Sequence, residues 1–189
     1  MIYVTVEQQK DVAKILGNLG KKAPGIIARA LNRSAESART NVVRQAREAY
    51  FVKSADVRGT ITIQKATTDR LWVIVKSRGT RRPLSAFNVK PGRPLPKKPP
   101  AVLQVAVMRS GLKGLPGAFL ARGRASGKLH VLTRVSSKRY PIRIRYGPSV
   151  PEMIGSNLSK GVYRSHVERQ AEEIFVKRLD HEINRVLGG

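Results

Sequence analysis

The chain has 189 residues, enough for one domain with extensions, and its 37 Lys and Arg against 12 Asp and Glu give a formal net charge of +25. It has no cysteine, which excludes disulfides, thiolate zinc sites and cysteine nucleophiles. No window approaches the roughly 18 consecutive apolar residues that a membrane span needs, and no signal peptide is visible, so we expect synthesis in a cytoplasm and no membrane partner.

The positive charge is concentrated in the middle of the chain. Residues 70–151 hold no Asp or Glu, and they carry nine basic residues from Arg70 to Lys98 and ten from Arg109 to Arg145. Such a stretch repels itself and needs salt or a negatively charged partner. Residues 151–189, by contrast, carry six basic and six acidic residues.

We interpret the chain as one domain, residues 1–189, that begins with a helical part at residues 1–50. Residues 1–6 alternate as in a short strand, and apolar residues at 12–19 indicate a short first helix. A second helix is predicted from Pro24, because proline suits a first helical turn. It carries a stripe of mostly small residues at helical spacing, which are Ile27, Leu31, Ala35, Ala38, Val42, Ala46 and Ala49.

Residues 51–155 are predicted to form a basic β region. Ser54 is a candidate N-cap for a short helical turn. The alternating residues 60–64 and the β-branched residues 71–76 predict a hairpin, with a turn at residues 67–70 and the second strand central in the sheet.

Prolines crowd residues 83–100 and favour an extended arm, because they remove backbone donors and fix φ. A disordered linker and an arm that orders only against a neighbouring subunit are both open interpretations. Its basic residues are candidate interface contacts: Lys90, Arg93, Lys97 and Lys98.

Three further strands are predicted at residues 102–107, 129–135 and 140–146. In the last strand we expect Ile142 and Ile144 to face inward, with arginines outward. The strands together indicate a central antiparallel sheet or a small barrel. Apolar spacing then predicts a long C-terminal helix within residues 156–189, which completes an α+β fold.

The sequence contains no recognisable catalytic motif. Its three histidines, His130, His166 and His181, do not combine with other ligands at metal-binding spacing. No phosphate-binding loop and no nucleophile elbow is present. We therefore expect no catalysis, no metal and no cofactor. The charge leaves nonspecific DNA binding or compaction as an alternative function, although no nucleic-acid reader motif is present.

Five short stretches carry a family resemblance: ALNR at residues 30–33, LPGAFL at 115–120, GKLHV at 127–131, RYPI at 139–142 and PSVPEM at 148–153. In this order, with a long terminal helix behind them, they make residues 20–187 resemble the tailed-phage minor tail protein Z family.

That resemblance implies a virion structural protein without catalytic activity. It implies action in tail completion at the head-proximal end of the tail, the neck, where head and tail join and infectivity depends on the junction. The expected assembly is a homo-oligomeric ring, sixfold first and twelvefold second. The expected partners are neck or connector proteins, tail terminator or tail tube proteins, and genomic DNA.

The block that carries the resemblance also supplies candidate contact residues, which are Phe119, His130, Arg134, Arg139 and Tyr140. They are predicted to shape a contact between rings or a lumen wall. In the alternative interpretation, Phe119 and Tyr140 belong to the core and the arginines are solvated, because a family block can reflect fold as readily as function.

Overall fold

The computed structural model describes residues 2–4, 17–94, 102–123, 126–155 and 162–187, so the helix predicted at 12–19 lies mostly outside the described residues. The fold is α+β, as predicted. Its helices are α1 (Ala23–Ala49), α2 (Ser54–Arg58), α3 (Val150–Gly155) and α4 (Val162–Leu187), with 3-10 turns at Gly17–Lys22 and Leu84–Ala86. Its strands are β1 (Ile2–Val4), β2 (Ile61–Gln64), β3 (Val73–Ser77), β4 (Asn88–Lys90), β5 (Val102–Ala106), β6 (Lys113–Pro116), β7 (Ala118–Arg122), β8 (Leu129–Arg134) and β9 (Ile142–Ile144).

The two long helices, α1 and α4, pack against each other. Helix α1 begins where the sequence predicts, with its proline in the first turn. Five of the seven residues of its predicted stripe are buried, with Ala35 and Ala38 fully inaccessible, and Ile27 and Ala49 at its ends are partly buried. The helices run antiparallel: Arg29 near the start of α1 contacts Glu182 near the end of α4, whereas Val42 lines a small apolar pocket with Val167. Small side chains let the backbones approach closely and leave few voids.

Helix α1 is also fastened to the β2–β3 hairpin by one side chain. The amide of Asn32 donates to the carbonyl oxygen of Ala66 at 3.0 Å and accepts from the backbone N–H of Ala66 at 2.8 Å. Asn32 belongs to the ALNR stretch of the family resemblance. The two bonds give that stretch a structural role, because they satisfy both backbone groups of a buried residue.

The strands form three antiparallel three-stranded sheets, in the orders β1-β3-β2, β4-β5-β6 and β7-β8-β9. The hairpin of β2 and β3 is confirmed, with Thr67 bridged to Arg70 at the turn and β3 central. The small barrel is wrong for the described residues, which contain no closed sheet. Gly117, with φ of 69°, joins β6 to β7, so the chain leaves one sheet and enters another there.

The proline-rich arm is not seen over the described part of residues 83–100, and residues 95–100 lie outside the description. Leu84 and Phe87 are buried, and β4 pairs with β5 as the edge strand of its sheet. A Cβ on Gly147 would lie 2.7 Å from the Phe87 ring, so this segment is closely packed. The apolar side chains between the prolines anchor it, and an edge strand tolerates neighbouring prolines.

Two short helices differ from the predictions. Ser54 is not an N-cap, because it is the first residue of α2 and Lys53 precedes it. Helix α3 was not predicted, and a capping box begins it. The Ser149 N–H donates to the Glu152 carboxylate at 2.8 Å, and the Glu152 N–H donates to the Ser149 hydroxyl at 3.3 Å. The backbone bond from Ser149, aided by Arg81, lowers the pKa of Glu152.

The long C-terminal helix is confirmed as α4. Its predicted apolar positions Val167, Ala171, Leu179 and Ile183 are buried. Near its end, Glu182 accepts hydrogen bonds from Arg29 at 2.7 Å and from Arg185 at 2.9 Å. The bond from Arg29 is the main cause that lowers the pKa of Glu182, against the opposing effect of its burial.

We expect Glu182→Gln to destabilise the protein at neutral pH only. A carboxyl whose pKa is lower in the folded state stabilises the fold above its unfolded pKa, and this stabilisation is lost as pH falls through the folded pKa. The loss at pH 7 should be about 0.2–1 kcal/mol, because solvent screens the half-exposed Arg29. Urea unfolding at pH 7 and at about pH 3, below the ordinary Glu pKa, measures it.

Glu48→Gln, at an exposed position of α1, is the matched control and should change the free energy of unfolding by less than about 0.5 kcal/mol. A destabilisation by Glu182→Gln that is as large at about pH 3 as at pH 7 would contradict an ionic link between α1 and α4.

Candidate interaction surface

The β7-β8-β9 sheet presents one face to solvent. In its register Phe119 lies opposite Leu132, Arg134 opposite Ile142, and Leu132 opposite Ile144. Cross-strand partners share a face, and alternate residues of a strand point the same way. The other face carries Ala118 and Val131, which are buried in the core. We call the side opposite Ala118 and Val131 the outer face; it comprises Phe119, His130, Leu132, Arg134, Ile142 and Ile144. Leu132 is buried at its centre, whereas the other five side chains are half-buried or exposed.

Exposed apolar side chains cluster on and beside this outer face. Five of the eight large apolar residues that are exposed in the described part of the chain lie between residues 135 and 146. Tyr140 is 63% exposed, and Ile142 and Ile144 are 38% and 37% exposed. The prediction that the two isoleucines face inward is therefore wrong. The period of two identifies two unlike faces, but it does not say which face the core covers.

Four of the predicted contact residues form two cation–aromatic pairs here. The Arg134 guanidinium lies 5.5 Å from the ring centre of Phe119, and that of Arg139 lies 5.8 Å from the ring centre of Tyr140. Phe119 is half-buried beneath its arginine. Tyr140 is largely exposed, so it does not belong to the core. Phe119 and Arg134 therefore lie together on the outer face, whereas Arg139 and Tyr140 lie in the turn between β8 and β9.

His130 lies on the same face and is half-buried. Its Nδ1 atom is shielded from solvent and has no hydrogen-bond partner among the described residues. Its ring approaches the position that a Cβ on Gly123 would occupy, at 3.6 Å. Across the described residues, no group of three or more His, Asp or Glu is close enough to hold a metal ion.

The basic residues predicted in the arm belong to a different part of the molecule. Lys90 is the exposed last residue of β4, and Arg93 is exposed just beyond it. Lys97 and Lys98 lie outside the described residues. The candidate set thus divides between the β4-β5-β6 region and the outer face of the β7-β8-β9 sheet.

The outer face is positively charged as well as apolar. Arg134 is exposed on it, Lys138 and Arg139 are exposed in the turn that follows β8, and residues 70–151 contain no carboxylate side chain. The ion pairs that reach this stretch in the described residues, Arg81–Glu152 and Arg82–Asp56, use neither β8 nor β9. This combination fits a partner surface that is itself apolar with a negative border.

These features define a basic α+β protein with an exposed, apolar and positively charged surface on one of its sheets. The chain belongs to the family of the prophage minor tail protein Z (GPZ), whose family model matches residues 9–188. The predicted resemblance is confirmed, and the protein is a phage minor tail protein of a structural family that is not a known class of enzyme. No curated protein and no solved structure matches the chain. None of the helices in the described ranges is both long and apolar enough to cross a membrane.

Val135 and Tyr146 are also exposed, although neither belongs to the predicted contact residues. The sequence feature that could have indicated their exposure is the high share of arginine in residues 134–145. Charged residues are typical of an edge strand that no other part of the chain covers. Val135, Tyr146 and the two isoleucines together make the apolar part of the surface larger than the predicted contact residues alone indicate.

We expect Ile144→Thr to change the free energy of unfolding by less than about 0.5 kcal/mol, because the side chain is already partly in water and threonine keeps the strand propensity. Val131→Thr, a fully buried position in the neighbouring strand, is the matched comparison. It should cost about 1–3 kcal/mol, since it buries a hydroxyl. Urea unfolding of both variants measures this, and equal losses would contradict an exposed outer face.

Proposed function

We propose that the protein is a tail-completion protein that forms a homo-oligomeric ring at the head-proximal end of a phage tail, in the neck. In this role it is required for head–tail joining and infectivity. The observation that carries the proposal is the outer face, an apolar and positively charged surface that no carboxylate of the central stretch neutralises. Six copies are the first expectation for the ring and twelve the second.

Charge favours a ring over a symmetric dimer. A two-fold contact through the outer face would bring Arg134 and Arg139 of one copy close to the same arginines of the other, and like charges repel. A head-to-tail contact joins two different surfaces, and it closes into a ring when its rotation fits. Repulsion between outer faces therefore supports the cyclic arrangement.

The same charge points to the partners beyond the ring. Acidic surfaces of neck or connector proteins, of a tail terminator or of the tail tube would neutralise the exposed arginines. Genomic DNA that passes the neck offers phosphates to any arginines that face the lumen.

Nonspecific DNA binding is the second candidate function, and the net charge of +25 favours it. The apolar part of the outer face argues against it as the main role, because aliphatic side chains such as those of Ile142 and Ile144 gain nothing from a phosphate backbone. A purely electrostatic DNA site would leave their exposure without a purpose.

Particles that lack this protein test the proposal. We expect heads filled with DNA and tails that are made separately, or joined particles that do not infect, because the junction is incomplete. Electron microscopy and plaque counts measure the two effects, and supplying the wild-type chain in trans should restore infectivity.

Normal infectious particles without the protein would contradict the proposed role. Heads that fail to fill with DNA, with tails and joining unaffected, would instead favour the DNA-compacting alternative.

A further inference from the structure

A second exposed surface lies on α4. Val176 is 48% exposed; Glu172 and Glu173 lie one turn before it and Asp180 one turn after it, and all three are exposed. Residues three and four apart share one side of a helix. We call Glu172, Glu173, Val176 and Asp180 the acidic face of α4. Arg169, which lies 3.9 Å from Glu173, and Lys177 border it.

We propose that the outer face of one copy of this chain docks on the acidic face of α4 of the next copy. The inference rests on the proposed function, because it names the two surfaces that would build the ring. The contact would place the apolar side chains Ile142 and Ile144 near Val176, and Arg134 and Arg139 near the carboxylates of α4.

The two surfaces complement each other in both polarity and sign. Each has an apolar centre exposed to solvent, and burying such side chains is favourable by about 25 cal/mol per Å². One carries arginines beside its apolar centre and the other carries carboxylates, of which Glu172 and Asp180 have no ion pair within the described residues, whereas Glu173 contacts Arg169. Opposite charges align the two partners. On a chain with a net charge of +25, a helix face with three exposed carboxylates is a distinctive partner for the arginines.

The two surfaces also belong to different parts of the fold. The β7-β8-β9 sheet contacts the 3-10 turn at Leu84–Ala86 and β5, whereas α4 contacts α1, α3 and β1. One copy can therefore use both surfaces at once, one for each neighbour. A head-to-tail contact of this kind repeats from copy to copy, as a ring requires.

Charge reversal on each surface tests the contact. The basic-surface variant combines Arg134→Glu with Arg139→Glu, and the helix variant combines Glu172→Lys with Asp180→Lys. All four positions are exposed, so both variants should fold, which circular dichroism and urea unfolding check. Each variant alone places like charges in the contact, and we expect its self-association to weaken at least tenfold by mass measurement in solution.

Mixing the two variants is the decisive step. The acidic outer face of the first then meets the basic α4 of the second, and the basic outer face of the second meets the acidic α4 of the first. We expect equimolar mixing to restore the wild-type assembly with the two variants alternating, which even-numbered rings such as those of six or twelve copies allow.

Matched controls make the same kinds of charge reversal at other positions of the chain. Arg58→Glu with Lys113→Glu, and Glu48→Lys with Asp69→Lys, alter exposed residues away from both surfaces. These controls should assemble as the wild-type chain does.

The outcomes separate this inference from the proposed function. If the wild-type chain forms rings and both variants still form them, the named contact is wrong and the ring stands. If only the arginine substitutions change the behaviour of the protein, and they do so by weakening its binding to DNA or to another acidic protein, the contact between copies is overturned. A wild-type chain that remains monomeric both in solution and in tails overturns the contact and the ring together.

Discussion

Electrostatic repulsion within residues 70–151 is the constraint on which the rest of the structure depends. A segment with 19 basic residues and no carboxylate cannot neutralise itself. The segment is divided among three small sheets. Two of its arginines form ion pairs with other parts of the fold, Arg82 with Asp56 in α2 and Arg81 with Glu152 in α3. The positive charge that remains at the outer face is available for contacts with other molecules.

The helical layer and the β region share one buried core. Small residues of α1 let it pack closely along α4, and Asn32 fastens it to the first hairpin. The acidic residues of the chain are also concentrated toward α4, where Glu182 bonds Arg29 of α1. Helix α4 carries five basic and five acidic residues and is electrically balanced, whereas the β region presents a charged, apolar surface. This division of roles suits a component of an assembly.

Much of this architecture could be predicted from the sequence, where local patterns carry the information. The stripe of α1, the hairpin of β2 and β3 and the length of α4 all follow from apolar periodicity. The short helix α3 could have been predicted too, because Ser149 and Glu152 have capping-box spacing. The folding of residues 83–90 onto the domain could not, since the burial of Leu84 and Phe87 depends on tertiary contacts. The same limit applies to the orientation of Ile142 and Ile144, because alternation is symmetric between the two faces of a strand.

The candidate surface could also be predicted only in part, because local sequence patterns do not determine which residues are exposed. The family-like block identified Phe119, His130, Arg134, Arg139 and Tyr140. The first three lie on one face of the β7-β8-β9 sheet, and the last two lie in the turn after β8. Their apolar neighbours and the acidic face of α4 required the three-dimensional arrangement, since exposure is a property of the whole fold.

The free energy of unfolding as a function of salt tests the central claim most directly. At a protein concentration low enough to keep the chain monomeric, sodium chloride raised from about 0.05 to 0.5 M shortens the range of repulsion between the arginines. The account predicts that the protein becomes more stable as salt is added. Stability that stays constant or falls would contradict the claim that unneutralised positive charge governs this structure.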